Sequence, residues 1–370
     1  MSTGQIAITI IPMVTGTLSI AASSTIIVKV LQSQSKLTTP YNRLLIGLCA
    51  FDIILSICHV SSTLPVTRGT PGYWGTIGNA TTCQIQGFMF LFSIVSTPFY
   101  NLALCIYFLC VIKFSMTDER FRRILEPYLH GIPILYGLGT AVYTLSIGYI
   151  NPSTTMCWIA PPDNLRGDDF SKRLAWIING GPILAIFMAI IVIMCMILWS
   201  VYSQAKTMER YRFQLNSGID PSPRNSARSQ ENASRSRNRV KAVQTRAKWF
   251  FAAYIITYAP TFVFRIIASI VGARNVHISI IIIARALFPL QGVFNMCAHL
   301  QPQAASIQRE NPEYWYIQAL YAALIRLNTD LDTRNSGTSR RRRSSSGSLG
   351  RRFSTSHSRR PAADCRNNGD

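Results

Sequence analysis

Apolar residues recur in seven long runs separated by shorter polar stretches: Ile6 to Leu31, Tyr41 to Leu64, Phe88 to Phe114, Tyr128 to Ile150, Leu174 to Tyr202, Trp249 to Val271 and Ile278 to Leu300. A helix needs about 20 apolar residues to cross the hydrocarbon core of a bilayer. The pattern predicts an all-α integral membrane protein, a bundle of seven transmembrane helices. The fourth run, with Gly131, Gly137 and Gly139 inside it, carries the weakest signal.

Polar residues within the runs fall three, four or seven apart, which places them on single helix faces. The second run aligns Asp52, Ser56, His59 and Thr63, and the third Gln86, Ser93, Thr97, Tyr100 and Tyr107. The sixth aligns Tyr254, Tyr258 and Arg265, and the seventh Arg285, Phe288, Gly292, Asn295 and His299. Such groups turn away from lipid, so the stripes predict one polar interior.

Cations between the runs fall on alternate loops. Lys36 follows the first run, Arg120, Arg122 and Arg123 the third, and a dense series from Lys206 to Lys248 the fifth; the tail adds Arg340 to Arg343, Arg351, Arg352, Arg359 and Arg360. The other loops carry Arg68, then Arg166, Lys172 and Arg173 balanced by Asp163, Asp168 and Asp169, then Arg274. Lys and Arg are retained in the cytoplasm, which puts the N-terminus outside and the tail inside. A formal charge of +21 would suggest nucleic-acid binding in a soluble chain. Here the cations face the cytoplasmic leaflet, where anionic lipid attracts each by about 1 kcal/mol, so lipid is the expected partner and nucleic acid is not. The first run lacks a basic segment before it and reads as a true helix rather than a signal peptide. Residues 1–302 form the membrane domain, 303–327 a membrane-surface helix and 328–370 an Arg/Ser-rich tail. That tail and the third inner loop, 204–244, are expected to be disordered. The surface helix rests on EYWYIQALYAALIRL, Glu313 to Leu327, where aromatic and aliphatic residues recur at helical spacing; loose tail sequence is the alternative.

Of nine cysteines, this topology leaves only Cys83 and Cys157 outside. Disulfides persist in oxidising compartments, so these two are expected to pair, two free thiols being the alternative. Asn79-Ala80-Thr81 is a glycosylation acceptor on the same side, whereas Asn232-Ala233-Ser234 falls inside.

Seven helices, an outer N-terminus and a cysteine opening the third helix together resemble the G-protein-coupled receptors. CQIQGF at Cys83 to Phe88, EPYLHGIP at Glu126 to Pro133, CWI at Cys157 to Ile159 and FPLQGVFN at Phe288 to Asn295 are similar to the cyclic-AMP-receptor-like family of amoebae and other protists. Rhodopsin-like motifs are partial. LCAFD ends at Asp52, TYAP spans Thr257 to Pro260, and Asn295 to His299 stands in place of NPxxY; no Asp-Arg-Tyr closes the third run. The resemblance implies a heterotrimeric G protein as partner and an extracellular small molecule as ligand.

A carboxylate at mid-span costs about 2.5 to 3.5 kcal/mol, so Asp52 needs a partner. Asn295, His299 and a monovalent cation are candidates, and a protonated, locally bonded Asp52 is the alternative. Arg265 and Arg285 fall at similar depth in the outer half of the sixth and seventh runs. Guanidinium groups bind carboxylate or phosphate in fork geometry, which suggests a site for an anionic ligand with Trp158, Tyr258 and Gln86 beside it. Snorkelling to the headgroups or pairing with Asp168 and Asp169 would explain the same residues. Pro260 would hinge the sixth helix, opening an inner cavity rimmed by Lys113, Phe114, Arg122, Arg123 and Lys248. Ser344, Ser345 and Ser354 follow arginine pairs, the pattern of basophilic kinase sites, and phosphate there could recruit an arrestin-like protein.

A retinal protein needs a lysine in the last run, and Ile278 to Leu300 has none. No GxSxG, HxxxH or paired-aspartate arrangement suggests an enzyme, and no cofactor is called for. A transporter or channel is the remaining alternative. The expected location is the plasma membrane.

Overall fold

The computed structural model describes residues 3–153, 155–162, 169–216, 223–271 and 276–325. In chain order the elements are α1 (Thr3–Gln32), α2 (Pro40–Ser61), α3 (Ala80–Ile112), α4 (Asp118–Ile124), α5 (Glu126–Ser146), β1 (Ile150–Ser153) and β2 (Met156–Ile159). There follow α6 (Phe170–Ala175), a π turn (Trp176–Gly180), α7 (Gly181–Asn216), α8 (Pro223–Val271), α9 (Ile278–Leu287), a 3-10 turn (Phe288–Leu290) and α10 (Gln291–Glu310). A short apolar helix, α11, spans Tyr316–Ile325. Helix starts follow local chemistry. Thr39 accepts a hydrogen bond from the Asn42 amide ahead of Pro40, and Asn79 forms a reciprocal capping box with Thr82.

Among the described residues, six helices are long and apolar enough to cross a membrane, and the chain is an integral membrane protein. The fourth predicted run, α5, is not one of them. It is helical for 21 residues, but Glu126, His130 and its glycines dilute its apolar surface. It also ends at Ser146 rather than Ile150, because Gly148 turns the chain with φ 73° into an antiparallel hairpin that apolar periodicity alone did not reveal. Pro152 pairs with Cys157 and Asn151 with Trp158 in that hairpin.

α3 is the axis of the bundle. It packs on α2, α5, α7 and α8 and carries the hairpin against its first turns, while α1 closes the ring between α2 and the α9–α10 unit. The main core runs through the buried faces of these helices, from Ile26 and Leu48 to Leu104, Ile190 and Tyr254. α3 and α5 approach closely at Gly137, where an added Cβ would lie 2.4 Å from Ser96 Oγ and 2.6 Å from the Phe92 carbonyl oxygen.

Two expectations about the loops differ from what is observed. α7 continues to Asn216 and α8 begins at Pro223, so helix replaces disordered chain over most of 204–244; both segments extend helices already nucleated, and propagation is easier than initiation. The expected surface helix, 303–327, begins later than residue 303. α10 continues to Glu310, and α11 starts only at Tyr316. Residues 328–370, with Ser344, Ser345 and Ser354, lie outside the described residues.

Candidate functional site

Polar residues gather in three layers along the bundle, two inside it and one at its end. The first lies under the hairpin. Cys83 and Cys157 are bonded, with Cα atoms 5.4 Å apart, and this fastens β2 to the start of α3. Gln86, one turn further on, donates to the carbonyls of Ser62 (2.7 Å) and Cys58 (3.2 Å) and to Ser61 Oγ (3.0 Å). Its own oxygen accepts from the Cys157 amide at 3.0 Å. Gln86 was expected beside a ligand. Its amide instead joins α2, α3 and the hairpin, and neither end is left to reach into the interior.

The fixed hairpin presents Trp158 inward. The Arg265 guanidinium lies 5.1 Å from the Trp158 ring centroid, in cation–π contact, and Arg285 is near enough to feel the Arg265 charge. His59, 2 % exposed, is held edge-on by Phe90 and Phe288, each at 5.6 Å. Trp158 Nε1, both His59 ring nitrogens and both polar atoms of the Asn179 side chain are buried without a hydrogen-bond partner. So many unmet groups are unusual, because buried polar atoms ordinarily find partners. Trp158 lies against Arg265, and His59 lies near Arg285. Asp169, suggested as an ion-pair partner for one of these, is taken by Lys172 at 2.8 Å, which holds its carboxyl below the usual range; Asp168 lies outside the described residues.

The second layer is at mid-bundle. Asp52 Oδ2 accepts from Ser23 Oγ at 2.5 Å and Ser19 Oγ at 3.1 Å, and Ser19 Oγ accepts from the Gly292 amide at 2.8 Å. The partners of Asp52 therefore come from α1. Their four-residue spacing was the available sequence signal, obscured because serine is common in membrane helices. Asn295 is buried nearby in sequence, with its Nδ2 unpartnered. His299 does not serve Asp52; it stacks on Tyr41 and meets its hydroxyl at 3.3 Å. Tyr258, packed on Tyr254 and Phe288, donates to Gln291 at 3.1 Å and connects this layer to the first. Pro260, half a turn along α8, cannot donate to the helix ladder.

The third layer lies at the end opposite the hairpin. Lys113 caps α3 beside exposed Phe114. Arg122 and Arg123 both approach Glu119, at 2.9 and 3.7 Å, and Lys248 is exposed. A bidentate pair between Arg43 and Glu126 ties α2 to α5, a contact that the sequence did not suggest. Asn79 is exposed and engages its Oδ1 with the Thr82 amide; a glycan would join its Nδ2.

The fold is like that of squid rhodopsin. Squid rhodopsin aligns with a TM-score of 0.55 over 84% of this chain and 87% of its own, at 16% identity. No family model matches the sequence, and no curated protein matches it either.

Proposed function

We propose that the chain is a G-protein-coupled receptor of the cyclic-AMP-receptor-like branch, with α5 as a seventh span, the N-terminus outside and the tail in the cytoplasm of the plasma membrane. The observation that carries this reading is the placing of Arg265 and Arg285 beside Trp158 and His59, whose ring nitrogens are buried without partners, within a fold like that of squid rhodopsin. Two neighbouring guanidiniums repel each other. A carboxylate or phosphate between them removes the repulsion and engages both forks, so the ligand is an anionic small molecule that also bonds His59, Asn179 or Trp158 Nε1. Tyr258 lies one layer below and passes the event to Gln291.

Such a ligand favours whichever arrangement of α8 brings Arg265 nearest Arg285, and shifts the population toward it. Pro260 lets the half of α8 bearing Lys248 swing separately from the half bearing Arg265. A heterotrimeric G protein then engages the rim of Lys113, Arg122, Arg123 and Lys248. Asn79 carries a glycan, and phosphorylation at Ser344, Ser345 and Ser354 regulates coupling through a kinase and an arrestin-like protein. Asp52, with Ser19 and Ser23, is a polar switch that a monovalent cation can occupy.

The test is nucleotide exchange on added G protein, using purified receptor and a panel of anionic metabolites and nucleotides. A stimulating compound should lose at least about tenfold in potency in Arg265→Gln and in Arg285→Gln, each of which removes a charge-assisted bond. Undiminished responses in both variants would eliminate the pocket. Flux of the same compounds into vesicles, without exchange, would make the chain a transporter.

A further inference from the structure

At the end opposite the hairpin stands a second group of cations, one buried and one half-buried, where the receptor reading needs none. Lys29, in the last turn of α1, is only 8 % exposed, and its Nζ has no hydrogen-bond partner. Arg246 of α8 stacks its guanidinium on Tyr41, 5.4 Å from the ring centroid, and its Nε is also buried without a partner. His299 of α10 lies parallel to Tyr41 within 12° and meets its hydroxyl at 3.3 Å, and both cations are near its ring. Three carboxylates at this end are engaged elsewhere. Asp118 accepts from Tyr107 at 3.2 Å, Glu119 faces Arg122 and Arg123, and Glu126 is held by Arg43.

A buried charge without a counter-ion is costly, and Lys29 is such a charge; α8 adds the Arg246 guanidinium over Tyr41, beside the His299 ring. We propose that Lys29, Arg246 and His299 form a binding site for a phosphate monoester group, with Tyr41 as its floor. The charge matches: a phosphate monoester carries about −1.5 to −2, against two fixed cations, whereas a carboxylate would neutralise only one. The geometry matches as well. Arg246 offers a planar fork and Lys29 a compact point donor, and imidazole adds a donor. Lys29 stands three residues from the end of a membrane-length helix, the level at which lipid headgroups begin. One turn along α8 from Arg246, Trp249 stacks on Tyr316 of α11 at 5.5 Å, so α11 reaches the same stretch of helix. The phosphate can come from a phosphoinositide headgroup or from free inorganic phosphate.

The experiment uses the full chain in nanodiscs and measures its unfolding temperature. One arm titrates inorganic phosphate against chloride at matched ionic strength in phosphatidylcholine discs. The other replaces a few per cent of the lipid with a phosphatidylinositol phosphate. A saturable rise in at least one arm is expected, and the arm that responds identifies the source. Lys29→Gln and Arg246→Gln should each weaken the apparent affinity about tenfold or more, and Arg246→Lys should retain part of it. Without phosphate, Lys29→Met should unfold at a higher temperature than the wild type, since it removes an unmet charge; this readout needs no ligand. No saturable rise in either arm, equal affinity in both glutamine variants, or a lowered unfolding temperature of Lys29→Met would each overturn the site. None of these measurements uses the hairpin-end ligand or a G protein, so the site and the receptor reading fail separately.

Discussion

Asp52 shows how one residue sets the demands on its neighbours. At 1 % exposure it can remain mid-bundle only if α1 supplies hydroxyls and α10 approaches closely enough to complete the set. Glycine at 292 permits that approach. A Cβ there would lie 2.3 Å from Ser23 Oγ, 2.4 Å from Asp52 Oδ2 and 2.6 Å from Ser19 Oγ, all on tightly held side chains. Gly292→Ala should therefore destabilise by about 1 to 3 kcal/mol, read as a lowered unfolding temperature in detergent, although alanine is the better helix former. Unchanged stability would mean that α1 and α10 are less closely engaged than described. Asp52 and Gly292 were legible as members of a polar stripe. Their dependence on Ser19 and Ser23 was not, because periodicity identifies the face of a helix but not which helix it meets.

For an element, the informative case is α5. Its sequence looks poorly suited to a membrane, with three glycines in nine residues, Gly131, Gly137 and Gly139. In the fold these glycines differ. Gly137 lies against the Phe92 carbonyl and Ser96 of α3, whereas nothing is within 4 Å of a Cβ at Gly139. Gly139→Ala should be neutral or stabilise by up to about 1 kcal/mol through helix propensity. Gly137→Ala should destabilise by about 1 to 3 kcal/mol through overpacking. Thermal unfolding of the pair checks this, and equal shifts would remove the close α3–α5 contact. The same distinction applies to α2, α3 and the hairpin. The Cys83–Cys157 pairing could be anticipated because compartment and topology left no other candidates; the role of Gln86 could not, because its four bonds go to segments distant in sequence.

For the whole molecule, the asymmetry of charge and the asymmetry of structure coincide. The hairpin, the disulfide and the Trp158–Arg265–Arg285 layer occupy one end, and Lys113, Arg122, Arg123 and Lys248 the other. Orientation in the membrane then decides which end meets ligand. An epitope placed before Met1 should be reached by antibody on intact cells, and one placed after Asp370 only after permeabilisation. Glycosidase treatment should shift the mobility of the wild type but not of Asn79→Gln. The reverse accessibility would place the arginine layer in the cytoplasm and exclude an extracellular ligand there.

The sequence by itself determined the solvent, the helical class, the inward polar stripes and the cysteine pair, because each depends on local composition or on a count of alternatives. Tertiary structure alone decided that Asp52 is held by α1, that His299 belongs to Tyr41, that Gln86 is a clamp and that Lys29 and Arg246 both come near His299. These depend on which helix faces pack together. In a bilayer the apolar faces of different helices are nearly interchangeable, so helix pairing is set by close approach at glycines and by a few polar contacts.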